Sequence, residues 1–262
     1  MRIATWNING VKARLETVKT WLREHAPDVA CLQEIKSVDE AFPAEAFEEL
    51  GYNVEVHGQK SFNGVALLSK HPLSDVRRGL DGDAEDTQAR YIEAVVEAPD
   101  AGGIIRVASI YLPNGNPVDT DKYPYKLAWM GRLKAHAETL LAYEEPLVLA
   151  GDYNVIPTAD DVHDADAWEG DALFRAETHA AFREIVNLGL TDAFRAVDPR
   201  PHQYSFWDYQ AGAWQKDNGI RIDHLLLSPQ AADRLVTCEI ERVVRGWEKP
   251  SDHTPVVAEF SI

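Results

Sequence analysis

The chain has 262 residues, 45% of them hydrophobic, enough to bury a large core in one domain spanning 1–262. Its 43 acidic against 26 basic residues give a formal net charge of −17, which speaks against a protein that grips nucleic acid through an overall basic surface. The two cysteines, Cys31 and Cys238, lie in apolar runs without C-x-x-C spacing, so neither a disulfide scaffold nor a zinc cage is expected.

Arg2 to Trp6 alternates as a strand, without an apolar leader, and ends in Asn7-Ile8-Asn9-Gly10. Val11, Leu15, Val18 and Leu22 then fall on one helical face, and after Pro27 a second strand, Val29 to Leu32, runs into Gln33 and Glu34. A short helix is expected over Ala44 to Leu50. Strands follow at Tyr52 to His57, Gly64 to Leu68, Arg90 to Val96 and Ile104 to Leu112, with few helices between them, which favours antiparallel pairing. Leu73 to Thr87, rich in Asp and Gly, reads as a loop. No run approaches the about 20 residues needed to cross a bilayer, so a soluble cytoplasmic protein without membrane contact is expected.

Pro113-Asn114-Gly115-Asn116-Pro117 is a turn directly after Tyr111, and Leu127, Met130, Leu133, Ala137, Leu140 and Leu141 mark one face of a long helix. Leu147 to Ala150 is a short buried strand, ending abruptly at Gly151-Asp152-Tyr153-Asn154. On an extended backbone Asp152 and Asn154 share a face, so a carboxylate and an amide converge. Asp160 to Gly170 reads as an acidic loop on the substrate side. A helix from Thr178 to Leu188 leads to Gly189 as its C-cap, and the tail holds strands at Tyr204 to Tyr209, Arg221 to Leu227 and Val256 to Ile262. Two packed sheets covered by helices accommodate this mixture of meanders and crossovers; periodicity alone leaves the strand order open.

Asn7, Glu34, Asp152, Asn154, Asp223, Asp252 and His253 all stand at or beside the ends of apolar runs. They are hard oxygen donors with one imidazole and no thiolate, a set suited to magnesium or manganese and poorly suited to zinc. Phosphoester hydrolysis needs a positioned water, a cation to offset phosphoryl charge and help for the departing oxygen, and this set offers all three.

The runs Trp6 to Gly10, Leu32-Gln33-Glu34, Tyr111 to Gly115, Gly151 to Asn154, Arg221 to His224 and Ser251 to Pro255 resemble, in order, the motifs of the exonuclease III family of DNA repair nucleases, within the endonuclease/exonuclease/phosphatase superfamily. The resemblance spans essentially the whole chain. The Tyr111 turn, the Ser205 to Tyr209 segment and the Arg221-Ile222-Asp223 run narrow it from the superfamily to the repair nucleases. It implies an α/β (α+β) fold of the deoxyribonuclease I-like four-layer sandwich type, two mixed β-sheets packed face to face and flanked by helices. It also implies a monomeric, metal-dependent nuclease with Mg2+, replaceable by Mn2+. The implied activities are 3′ to 5′ exodeoxyribonuclease on duplex DNA and endonuclease cutting 5′ to abasic sites to leave a 3′-hydroxyl. Its partner is then duplex DNA carrying abasic sites, nicks or 3′ ends, met at the nucleoid. The alternative is a superfamily phosphatase or phosphodiesterase acting on a small molecule or lipid headgroup.

Carried over by position, the resemblance makes Glu34 the principal metal ligand, with Asn7, Asn9 and Asp252 completing the metal environment. Asp152 orients or deprotonates the attacking water, Asn154 contacts the phosphate, His253 touches a phosphate oxygen and Asp223 orients His253. Tyr111 stabilises the transition state or leaving group, and Asn114 helps hold the same phosphate. Arg90, Lys122, Lys126, Phe206, Trp207 and Arg221 are the expected DNA contacts. Given the charge of −17, the basic residues among them are expected to border the active centre as a positive groove.

Overall fold

The structure is a computed structural model, which describes residues 1–98 and 103–262. Its elements run β1 (Arg2–Asn7), α1 (Val11–His25), β2 (Val29–Gln33), α2 (Ala44–Glu48), β3 (Asn53–His57), β4 (Val65–Ser69), β5 (Leu73–Arg78), β6 (Tyr91–Ala98), β7 (Gly103–Tyr111), α3 (Lys122–Leu141) and β8 (Leu147–Asp152). There follow α4 (Ala176–Val186), β9 (Thr191–Asp192), α5 (Ala193–Val197), α6 (Ala213–Lys216), β10 (Asp223–Leu227), α7 (Pro229–Ala232), β11 (Leu235–Ile240) and β12 (Val256–Phe260).

The strands form two six-stranded sheets, ordered β11-β12-β1-β2-β4-β3 and β5-β6-β7-β8-β10-β9. Each sheet has a parallel pair at its centre, β1 with β2 and β7 with β8, and antiparallel pairs elsewhere. Parallel neighbours need a crossover, which α1 and α3 supply in the two halves. Ile3, Val29, Cys31 and Leu67 of one sheet meet Ile92, Val107, Val148 and Leu225 of the other in the layer between them. The outer faces are covered by Val18, Trp21 and Leu22 of α1 on one side and Trp129, Met130 and Leu133 of α3 with Phe182 of α4 on the other. This is the expected four-layer sandwich. Because the central strands are buried on both faces, they read in sequence as continuous apolar runs rather than alternations.

Three expectations are corrected. Leu73–Arg78 is a strand, not loop; it lies at a sheet edge, so half of it faces water and its polar content disguised it. Leu235–Ile240 is a further edge strand that the sequence reading passed over. Tyr204 to Tyr209 is no strand, since only Phe206 makes bridges there, to Ile220 and His253. No described helix is long and apolar enough to cross a membrane.

The parallel pairs set the site. The carboxyl ends of β1, β2, β7 and β8 carry Asn7, Glu34, Tyr111 and Asp152, and antiparallel pairing puts Asp223 of β10 opposite Asp152. Ligands of open α/β sheets gather beyond such carboxyl ends, and here the ends of two sheets share one edge. Polar side chains stitch that seam: Gln33 Nε2 donates to Ser109 Oγ at 3.0 Å, and Asn7 Nδ2 to Asp152 Oδ2 at 2.9 Å.

Candidate active site

Gly151 shows why this edge requires its particular residues. A Cβ there would lie 2.0 Å from the carbonyl oxygen of Ile110, so close approach of β7 to β8, rather than an unusual turn, demands glycine. The chain then bends at Asn154, whose φ of 46° is left-handed and is tolerated by an asparagine. Asp152 Oδ1 accepts the Asn154 backbone N–H at 2.9 Å, fixing the first turn beyond the strand. Glu34 leaves β2 through a similar left-handed residue, φ 48°.

Asn7 gathers the carboxylates. Its Nδ2 donates to Glu34 Oε1 and to Asp152 Oδ2, each at 2.9 Å, while its Oδ1 accepts the Asn9 N–H at 3.0 Å. It therefore turns N–H toward the acids and holds Glu34 and Asp152 together. Asn9 is likewise committed, accepting from Lys36 Nζ and donating to Asp252 Oδ1 at 3.1 Å. Lys36, which sequence reasoning did not single out, lies with Nζ 3.0 Å from Glu34 Oε2. Its only sequence signal was a lysine two positions beyond a candidate ligand.

His253 sits between two carboxylates, Nδ1 2.9 Å from Asp223 Oδ2 and Nε2 3.7 Å from Asp152 Oδ2. Burial alone would lower its pKa, but Asp223 and Asp152 outweigh burial and raise it to about 10, so the ring is an imidazolium at neutral pH. Burial raises Asp152 to about 7 against the opposing pull of His253. For Glu34, burial acts upward, but the Asn7 hydrogen bond and the Lys36 charge prevail and hold the carboxyl below its ordinary range. Ser205, absent from the candidate set, donates to Asp223 Oδ2 at 2.6 Å, and Ser251 Oγ accepts the His253 N–H at 3.2 Å. These two hydroxyls orient the Asp–His pair from behind.

One ligand atom each from Glu34, Asp152 and His253 lies within 4.8 Å of the others. The carboxylate oxygens of Glu34 and Asp152, with Asp252 held beside them through Asn9, suit a hard divalent cation.

Above these carboxylates opens a cavity of about 530 Å³, lined by Glu34, Tyr111, Asp152 and His253, by the amides Asn114 and Asn154, and by an apolar wall of Phe206, Ile220 and Ile222. His163 and Trp168 from the acidic loop, with Asp171 just beyond it, also line the cavity. The guanidinium of Arg90 stacks 4.9 Å from the Tyr111 ring and donates to its carbonyl at 3.2 Å. Tyr111's hydroxyl is driven well above its ordinary pKa by burial and then by the Glu34 and Asp152 charges, so it stays protonated and is able to donate.

The expected DNA contacts separate here. Phe206 faces the cavity, while Trp207 is fully buried and donates to Asp217. Lys126 is 0% exposed, with its ammonium on backbone carbonyls. Arg221 is 1% exposed and paired with Asp161 at 2.7 Å and Asp192 at 2.8 Å. These three are corrected from surface contacts to interior groups, because runs of alternating or helix-start residues do not reveal which side chains the loops bury. Lys122 is exposed at the start of α3. Among the described residues the cavity lining includes no lysine or arginine, while Arg90 and Lys36 stand against its lining residues Tyr111 and Glu34.

This arrangement of carboxylates, an Asp–His pair and cavity-facing amides between two sheets is that of a phosphoesterase. Residues 4–253 match the model of the Endonuclease/Exonuclease/phosphatase family, and the chain belongs to that family. Exodeoxyribonuclease III of Haemophilus influenzae is 37% identical over 268 residues, an alignment covering 99% of this chain and 100% of the relative. An AP endonuclease structure from Archaeoglobus fulgidus superposes with TM-score 0.94 at 38% identity, covering 100% of both chains. A Neisseria 3′ phosphatase bound to a product DNA hairpin gives TM-score 0.95 at 35% identity, again over 100% of both chains. Within the family, this chain falls in the exonuclease III group of DNA repair nucleases.

Proposed function

We propose that this protein is a DNA repair nuclease, a 3′ to 5′ exodeoxyribonuclease on duplex DNA and an endonuclease that cuts 5′ to abasic sites, leaving a 3′-hydroxyl. The observation that carries this reading is the His253 imidazolium, fixed by Asp223 and facing Asp152 at the mouth of a cavity with an apolar wall. It acts as a cytoplasmic monomer on DNA ends and abasic sites. A small phosphorylated metabolite would call for cationic side chains around the cavity, and none of the described lining residues is a lysine or arginine.

Asp152 holds the attacking water and takes its proton; its raised pKa makes it a competent acceptor near neutral pH. Imidazolium at His253 and the amides of Asn154 and Asn114 hold the phosphoryl oxygens, where negative charge grows in the transition state. Tyr111, held protonated by Glu34 and Asp152, donates toward the departing oxygen or its neighbour. Phe206, Ile220 and Ile222 receive the base-less sugar, which leaves the helix at lower cost than a stacked nucleotide. A magnesium ion, with manganese as substitute, would be held by Glu34 with Asp152 and Asp252 nearby, and would supply neutralisation of phosphoryl charge.

Cleavage of a labelled duplex with one abasic site, and of a blunt duplex labelled internally, tests the assignment when run with Mg2+, with chelator, and beside an inositol phosphate. Incision immediately 5′ to the lesion that chelator abolishes is expected. An intact duplex alongside a hydrolysed inositol phosphate would reject it.

A further inference from the structure

Lys126 lies on the first turns of α3 with its whole side chain buried, and its ammonium meets no carboxylate within ion-pair distance among the described residues. Instead Nζ donates to two main-chain carbonyls, of Asn114 at 3.0 Å and of Asn154 at 2.6 Å. Burial lowers its pKa to about 7, against the opposing charges of Asp152 and Asp171.

The two carbonyls belong to the two asparagines that face the cavity. Their side chains also touch, Asn114 Nδ2 donating to Asn154 Oδ1 at 3.0 Å, and Asn154 Nδ2 donates to the Leu112 carbonyl at 2.9 Å. Lys126 Nζ thus bonds to the backbone of both loops, while their side-chain amides bond to each other. The packing is tight: Gly115 has φ 90°, and a Cβ on it would lie 2.7 Å from Lys126 Cδ, so the glycine of the turn is required by the lysine stem as much as by the turn.

We propose that Lys126 is a positioning residue: it fixes Asn114 and Asn154 at the separation and attitude that hold the scissile DNA phosphate. This rests on the reading of the site as a phosphodiesterase. The lysine touches no substrate; it acts through the asparagines.

Two measurements on Lys126→Met and Lys126→Gln, in the full chain, test it. Steady-state cleavage of the abasic duplex should show kcat down by about 10- to 100-fold with KM little changed, as when other orienting partners are removed. Combining Lys126→Met with Asn114→Ala should cost little more than the more severe single change, since both act on one element. In 15N-resolved NMR without DNA, the side-chain amides of Asn114 and Asn154 should move toward free-peptide positions in both variants. Unmoved amide signals, or strictly multiplicative losses in the double variant, would overturn the proposal. Should Lys126→Met not fold, Lys126→Gln, which keeps a donor without the charge, carries both readouts. If the wild-type chain leaves the duplex uncut, the nuclease reading fails, and the amide shifts still decide the role of Lys126.

Discussion

His253 Nδ1 stands 2.9 Å from Asp223 Oδ2, with Asp223 buried and His253 nearly so at the cavity wall. The pairing keeps the ring charged: the folded pKa of about 10 lies above the ordinary 6.5. The stabilisation linked to that proton is therefore complete below about 6.5 and disappears as pH rises through about 10. Replacing Asp223 by Asn should lower kcat by about 100-fold and move the alkaline limb of the pH–rate profile downward by a unit or more. An alkaline limb at the wild-type position would show that Asp223 does not set the ring's charge.

Asp152 is the second partner of that ring and has a different task. Asp152→Asn keeps the shape and the Asn7 contact but removes the proton acceptor, so kcat should fall by about 1,000-fold or more while duplex binding is largely preserved. Single-turnover cleavage and a gel-shift titration on the same abasic duplex separate the two. Turnover within about tenfold of wild type would remove Asp152 from the chemistry.

Arg221, expected on the DNA face, should prove to be a stability residue. Burial pushes the Asp161 carboxyl up, but the Arg221 and Arg195 guanidiniums outweigh it and hold it at about 2. This depressed pKa contributes stability that is present above the ordinary 3.8 and is lost as pH falls through about 2. Arg221→Met leaves Asp161 and Asp192 short of a partner and should cost about 3–5 kcal/mol, with the acid-unfolding midpoint moved to higher pH. Thermal and acid melts measure both; an unchanged melt with weakened DNA affinity would restore the surface role.

Salt provides a fourth test. With no lysine or arginine among the described lining residues of the cavity, the duplex should be held mainly by neutral amides and a few rim cations. The plot of log Kobs against log salt for Asp152→Asn should then have a slope shallower than about −4, equal to roughly four neutralised phosphates or fewer. A slope steeper than about −7 would mean that cations beyond the cavity grip the backbone extensively.

Much of this was legible in the chain. The strands Val29 to Leu32 and Leu147 to Ala150 could be read as continuous apolar runs followed by polar residues, because strands covered on both faces must be apolar, while the parallel pairing itself was not legible. Asn7, Glu34, Tyr111, Asp152, Asp223 and His253 could be named for the same reason, and the structure brings them together. What sequence did not disclose was direction. Asn7 turns its N–H rather than its oxygen toward the acids, Lys126 and Arg221 point inward, and Ser205 reaches Asp223 across 18 positions. Side-chain orientation in loops follows from how distant segments meet, and no local pattern records that. The edge strands Leu73–Arg78 and Leu235–Ile240 escaped because one solvent-facing side mixes polar residues into them.

The seam between the sheets also makes the enzyme its own assembly sensor. Asn7 and Glu34 belong to one sheet and Asp152 and Asp223 to the other, and the hydrogen bonds joining them cross the gap. Neither sheet carries the whole residue set, so the site is complete only when the two sheets have docked. A partly folded or split intermediate, with one sheet formed and exposed, would be unable to cut DNA; the architecture withholds a destructive activity until folding is complete.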